Sequence, residues 1–357
     1  MGGMKHTASY DLPHDIIENI LFRLPVKSLL RFQGVCKHWK ATISDPKFGE
    51  THRQRPKNSP HLYLQIQLKK SPPSRLLPQL TKEDAFTRVA LENHEFRHHS
   101  ALEYPPVNKS GSSVWCHCDG LFLISRHKIS YSLWNPSCRT YKKLRYPYPV
   151  DSVNPLLRSG ICYDPLAKDY KVVLGDAKHY AVFYCKRNCW SEMREMNNVC
   201  SVSHTNREGV QFKGCIYWIW CSRLICFDGR DETFKDLSNT INLDCRDDYS
   251  HSLISSTNDL YIFPVYKTFS VRNEIVIMKK DGDDEEAWME FVVKLPFPDL
   301  YIKPLCSTEE NKIVVSVFPG INYLLYDDTE RCFTQIQNSS GFVCSRLFPY
   351  LENLLLL

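Results

Sequence analysis

Five times between Tyr131 and Ile336 the chain repeats one short pattern: an apolar run, a polar turn, an aromatic, then a run that closes on an apolar residue. The copies are "YSLWNPSCRTYKKL" from Tyr131, "AVFYCKRNCWSEM" from Ala181, "LICFDGRDETFKDL" from Leu224, "EIVIMKKDGDDEEAWMEF" from Glu274 and "NYLLYDDTERCFTQI" from Asn322. Their anchors Trp134, Tyr184, Phe227, Met278 and Tyr326 are spaced by 50, 43, 51 and 48 residues. Short β-type runs bounded by Asn, Asp, Gly and Pro read as hairpins. A period of roughly 40–50 residues in such a chain makes each copy one blade of a β-propeller. The strands between the anchors bring each blade to about four. They include "DGLFLIS" (119–125), "SGICYDP" (159–165), "YKVVLGD" (170–176), "FKGCIYWIW" (212–220) and "NKIVVSVF" (311–318). Five blades therefore run from about 113 to 336. A sixth is expected from 61–105, completed by "FVCSRLF" (342–348), because pairing the terminal strands removes an open sheet edge.

The first 50 residues follow another period. Pro13 suits a first helical turn, and Ile16, Ile17, Ile20, Leu21 and Leu24 then recur at helical spacing. Pro25 ends that helix and opens a second, with Val26, Leu29, Leu30 and Phe32 apolar and Lys27 and Arg31 solvated. Val35, Cys36, Trp39 and Ile43 make a third, closed by "SDP" (44–46). The whole is thus an α + β multidomain chain: a small three-helix unit ahead of an all-β propeller. A unit of about 40 residues is near the limit at which a lone core suffices. Each large apolar side chain left in water forgoes roughly 1.5–3 kcal/mol. Part of this stripe therefore belongs against another surface. The polar segment "THRQRPKNSP" (51–60) reads as a linker, which favours a partner over the chain's own β domain.

Here the residues carry a resemblance. "DLPHDIIENILFRLPVKSLLRFQGVCKHWKATISDPKF" (11–48) resembles an F-box, in its plant form at "LPVKSLLRF". The resemblance implies docking on the Skp subunit of a cullin–RING ubiquitin ligase. The implied contacts are Leu12, Pro13, Ile16, Ile20, Leu21, Leu24, Pro25, Val26, Leu29, Phe32, Val35, Cys36 and Trp39. "CDGLFLI", "LWNPSCRTYKKL", "YDPLAKDYKVV", "GVQFKGCIYWI", "LICFDGRDETFKDL" and "LLYDDTERCF" resemble the plant F-box-associated interaction domain, and "YLENLLLL" resembles its tail. The implied organisation is a disordered N-terminus (1–10), an F-box (11–50), a linker (51–60) and an F-box-associated propeller (61–357).

Charge agrees with a protein partner. Residues 1–60 hold ten Lys or Arg against five Asp or Glu, equal to the whole chain's net +5. A nucleic-acid domain has a denser basic face with aromatics interleaved, whereas this basic head suits an acidic protein surface, and the Skp subunit of such ligases is acidic. No apolar run approaches the roughly 20 residues of a membrane span. The fifteen cysteines are odd in number, and no export signal is visible, so reduced thiols in the cytoplasm or nucleus are expected. For the same reason Asn108 and Asn338 are not expected to carry glycans. "CHC" (116–118) lacks the gap and the second pair of a zinc site, and its two cysteines are expected to pack as small hydrophobes.

Nothing in the sequence assembles a catalytic constellation. Asp119-Gly120 and Asp164-Pro165 are turn residues, and Asp283 to Glu286 form an acidic hairpin loop. His94, His98 and His99 cluster without a third group to orient a base. No phosphate-cradling loop or nucleophile elbow is present. The expectation is a non-catalytic adapter without cofactor or metal, holding the Skp subunit, and through it cullin and RING subunits, while presenting a target protein. Candidate target loops are 197–208 and 239–251. The alternatives are a non-degradative Skp-bound interaction protein and a propeller that binds carbohydrate or another small ligand.

Overall fold

Hairpin chemistry sets the architecture. The computed structural model describes residues 12–54, 62–70, 80–102, 112–126, 130–146, 158–176, 178–196, 208–220, 222–243, 249–266, 274–280, 288–296, 301–308, 310–318, 322–338 and 344–355. In three of the repeats an Asx side chain folds the turn. Asn135, Asp228 and Asp327 each accept a hydrogen bond through Oδ1 from the main chain two residues on, at 2.9 Å. Four residues after each, Arg139, Glu232 and Arg331 take positive φ of 55°, 58° and 52°, which lets the chain enter the next strand. The turns at Asp119-Gly120 and Lys213-Gly214 have positive φ at both residues, as a two-residue hairpin of matched twist requires.

The strands of the described residues fall into six sheets. Blade 1 holds Leu62–Lys70, Leu80–Glu92 and Glu95–Ala101, with Cys344–Pro349 paired antiparallel to the first of these. The other five sheets are each continuous in sequence: blade 2 within 112–144, blade 3 within 158–195, blade 4 within 210–236, blade 5 within 249–294 and blade 6 within 301–336. Every repeat anchor lies on the third strand of its sheet: Trp134, Tyr184, Phe227, Met278 and Tyr326. The fourth strand of blade 3 comes in two pieces, Cys189–Trp190 and Arg194–Glu195, both paired with His179–Tyr184.

The core is a ring of seams rather than one centre. A buried cluster fills the junction of blades 1 and 2, and others fill 2 and 3, 3 and 4, 4 and 5, 5 and 6, and 6 and 1. Cys116 and Cys118 both lie in the second of these seams, 3% and 1% exposed, as small apolar side chains. Between blades 3 and 4 two glycines make room for large neighbours. A Cβ on Gly209 would stand 2.4 Å from Ile216 Cγ2 and 2.8 Å from Trp218 Cε2. Gly209→Ala should therefore lower stability by about 1–3 kcal/mol, read as a drop in the thermal midpoint; an unchanged midpoint would show that the seam gives way freely.

Within a four-stranded meander the first and third turns fall on one face. The second turn and the link to the next blade fall on the other. Of the two candidate target loops, residues 197–207 and 244–248 lie outside the described residues, as do Asp283 to Glu286 and the side chains of His98 and His99. The described part of 239–251 is not simply polar: Ile241 and Leu243 are buried in the seam of blades 4 and 5.

Candidate functional site

Among the described residues four helices, not three, precede the propeller. They are α1 (His14–Phe22), α2 (Val26–Phe32), α3 (Lys37–Ser44) and α4 (Pro46–Gln54). The "SDP" expected to close the third helix also starts the fourth. Asp45 is extended and its Oδ1 accepts from Lys47 N at 2.8 Å, with Pro46 at the first helical position. Phe48 and His52, four apart, are both buried, and His52 Nε2 is 2.8 Å from the Leu24 carbonyl. Residues 51–54 thus belong to the helical unit rather than to the expected linker.

The apolar stripe of α1 divides into two faces. Leu21 is fully buried and Ile17 half-buried, packed in one cluster with Val26, Leu29, Ile43 and Phe48. Outward stand Ile16 and Ile20, 47% and 46% exposed, flanked by Leu12 at 57% and Val35 at 60%. Pro13, Pro25 and Cys36 are exposed too, while Leu24, Phe32 and Trp39 are half-buried. Three of the thirteen candidate contacts, Leu21, Val26 and Leu29, face inward with no exposed surface, because an amphipathic bundle this small needs them for its own core. Cys36 Sγ accepts from Trp39 N and caps α3, which holds Trp39 edge-on to Phe32 with ring centroids 5.3 Å apart. Arg23, Lys27, Arg31, Lys37 and Lys40 are exposed as well.

The helical unit is seated on the propeller by the C-terminal tail. Leu354 completes the cluster of Leu21, Val26 and Leu29. Glu352 Oε2 accepts from Val26 N at 2.9 Å, where α2 has no cap of its own. A carboxylate there satisfies an orphan donor and meets the positive end of the helix dipole. The tail is in turn fixed to blade 2: Asn135 Nδ2 donates to the Asn353 and Leu355 carbonyls at 2.9 and 2.8 Å, and Asn353 Nδ2 donates to the Asp119 carbonyl at 2.9 Å. From α4, Arg53 Nη1 is 2.7 Å from Asp119 Oδ2, with its guanidinium 4.3 Å above the Tyr163 ring, and Glu50 accepts from Tyr163 and Lys168. These partners sit on first and third turns of blades 2 and 3. The seat therefore occupies one face of the propeller and leaves the face of the inter-blade links opposite.

A sequence profile for the F-box associated beta propeller domain matches residues 87–355, and one for the F-box domain matches 10–51. The chain belongs to the F-box proteins with an associated β-propeller. Two Arabidopsis thaliana relatives illustrate the similarity. F-box protein At3g22700 is 27% identical, with 64% of this chain and 69% of the relative covered. F-box protein At3g17710 is 25% identical, with 82% of this chain and 80% of the relative covered. For two further Arabidopsis relatives, each 27% identical, the chain spans 62% and 53% of their length. Among solved structures, a chain of the nidogen/laminin complex aligns at TM-score 0.49 and 10% identity over 83% of this chain and 100% of its own, too distant to argue from.

In this F-box protein the outward face of the helices and their seat on the propeller are electrostatically distinct. The outward face of α1 is apolar with exposed Asp15 and Glu18 beside it, and the exposed bases Lys27, Arg31, Lys37 and Lys40 belong to α2 and α3. The seat is a set of paired ions and hydrogen bonds, Arg53 with Asp119 and Glu50 with Lys168. Sequence reasoning missed Glu50, Arg53, Glu352 and Asn353, whose signal lies in pairings that span from 66 to 326 residues and not in any local spacing.

Proposed function

We propose that this F-box protein is a substrate-recognition adapter of an SCF-type ubiquitin ligase. The observation that carries the proposal is the double face of α1. Its inner side is filled by the protein's own core, yet Ile16 and Ile20 remain about half exposed on the other. Contiguous exposed apolar side chains mark a protein-docking site, and four of the ten most exposed large apolar residues among those described lie between Leu12 and Val35. In this reading Leu12, Pro13, Ile16, Ile20, Pro25, Val35 and Cys36 meet the Skp-type subunit, with Leu24, Phe32 and Trp39 at the margin. Leu21, Val26 and Leu29 support that face from beneath. The exposed lysines and arginines favour an acidic partner. The chain itself performs no chemistry. It holds a target protein near the ubiquitin-charged subunits, in the cytoplasm or nucleus, and raises the target's effective concentration there. The seat of the F-box leaves the opposite propeller face for that target.

The test is affinity for a plant Skp-type subunit by titration calorimetry. Ile16→Ala and Ile20→Ala should each weaken binding about tenfold, which is about 1.4 kcal/mol. The thermal midpoint should stay put, because both side chains are half in solvent already. If the unaltered chain binds no Skp-type subunit, the adapter reading falls.

A further inference from the structure

The channel at the centre of the propeller has no part in the ligase reading. Two chambers of about 160 and 340 Å³ lie along it among the described residues. They meet at a waist formed by His117, Gln211, Ser255, Ser307 and Pro349, one residue from each of five innermost strands. The larger chamber opens on the face that carries the F-box, and Asp119 and Leu351 form part of its wall. Its size is at the lower end of the roughly 300–1,000 Å³ found for small-molecule sites.

The polar groups of the waist are unusual in what they do not touch. Ser307 Oγ donates to the Ser255 carbonyl at 2.6 Å. The side chains of His117, Gln211 and Ser255, all half-buried, make no hydrogen bond to any described residue, nor does that of Thr257 at the rim. Their polar atoms are not sealed from solvent, so they face the channel and are open to a ligand's hydrogen bond in place of water's. Carried by three different blades, they converge on one cavity. The ring of His117 is fixed between Phe122, stacked at 5.9 Å, and Phe348, edge-on at 5.4 Å. Burial lowers its pKa to about 4, so at neutral pH it presents one donor and one acceptor. Of the charged groups that line the two chambers, Asp119 pairs with Arg53 and Glu208 with Arg346, Lys213 at the wall of the larger chamber lies 5.7 Å over the Phe212 ring, and Lys303 belongs to the smaller chamber.

We propose that the larger chamber is a binding site for a neutral, hydroxyl-rich small molecule, a polyol or monosaccharide, held by His117, Gln211 and Ser255. An amide, a hydroxyl and a neutral imidazole each offer or accept single hydrogen bonds, which suits ligand hydroxyls that do both. They offer no fixed charge to a phosphate or carboxylate. Because Asp119 and Leu351 belong both to the chamber wall and to the F-box seat, an occupant steadies that seat. The proposal does not depend on the ligase reading.

The test is calorimetry and thermal melting of the full chain with glycerol, D-glucose and D-galactose as probes, and glucose 6-phosphate as the charged control. A saturable heat and a rise in melting temperature are expected with at least one neutral probe. Gln211→Met and Ser255→Ala should each weaken that binding about three- to tenfold, the worth of one hydrogen bond. Thr257→Val, on the exposed rim, is the companion variant if Gln211→Met disturbs folding, and a smaller loss is expected from it. No saturable binding by any neutral probe, binding untouched by all three substitutions, or a preference for glucose 6-phosphate would each overturn the proposal. Binding by glycerol as strong as that by the sugars would assign the site to short polyols.

Discussion

Replacing Lys171 by Met is expected to lower the stability of the propeller by about 3–5 kcal/mol, the usual cost of removing one partner from a buried ion pair. Lys171 lies on the second strand of blade 3, 6% exposed, and its Nζ is 2.8 Å from both Asp164 Oδ2 and Glu232 Oε1. It also donates to the Gly229 carbonyl at 2.7 Å. Glu232 occupies the turn of blade 4, and Arg194 and Tyr184 hold its second oxygen at 2.8 Å. The lysine therefore joins two blades, and without it two carboxylates share the seam with one half-exposed arginine. Lys312, in contact with Asp327 and Glu310 on blade 6, is 27% exposed, so Lys312→Ala should cost less than about 1 kcal/mol. Equal losses in the two variants would refute the difference that burial is argued to make.

The same network predicts a pH dependence. Burial alone would raise the carboxyls of Asp164 and Glu232. Hydrogen bonds from Lys171 outweigh it, together with the main chain of Ala167 and Leu166 for Asp164, and with Tyr184 and Arg194 for Glu232. Both groups end below their ordinary range. Their folded values lie beneath the unfolded ones near 4, so the contribution is complete above about pH 4 and is lost as the pH falls through the folded values. Melting temperatures of the parent and of Lys171→Met should thus converge in acid and separate towards neutrality. A constant gap down to pH 2–3 would contradict this assignment.

How much of this was legible in the chain follows from the range of each signal. The blades were readable because a repeat is written in local chemistry: Asn135, Asp228 and Asp327 fold their turns within four residues, and the anchors recur every 43 to 51 residues on third strands. Helices α1 to α3 were readable for the same reason. The fourth was not, since only Phe48 and His52 mark its buried side and Asp45-Pro46 signals an end as well as a beginning. Helical spacing also shows which residues share a face but not what covers that face. Leu21, Val26 and Leu29 meet Leu354, more than three hundred positions downstream, so their role inside the F-box core was invisible locally. Likewise the unengaged side chains of the channel come from separate blades, and no stretch of sequence places His117 beside Gln211 and Ser255.

Gly120→Val is the variant in which these two levels meet, and it should unseat the F-box from a position within the propeller. Gly120 has φ of +80°, and a Cβ there would lie 1.9 Å from the Leu351 carbonyl oxygen. A left-handed conformation costs a side-chain-bearing residue about 1–2 kcal/mol, and overpacking adds about 1–3 kcal/mol. The obstacle is main chain, so it yields only if the tail shifts. The tail carries Glu352, which caps α2, and Leu354, which fills the F-box core. Losing a cap costs about 0.5–2 kcal/mol, and withdrawing a core leucine costs about 2–5 kcal/mol, as in truncation to alanine. A unit of four short helices has little margin for either. Hydrogen exchange should accordingly quicken in α1 and α2 while the seams of blades 4 to 6 keep their protection, and Skp-type binding should weaken although Gly120 touches no docking residue. Glu352→Gln should give a milder form of the same result, since an amide oxygen still accepts from Val26 N but loses the attraction of a charge for the helix dipole. Protection lost evenly through all six blades in Gly120→Val would instead place the damage in the propeller and separate the tail from any role in holding the F-box.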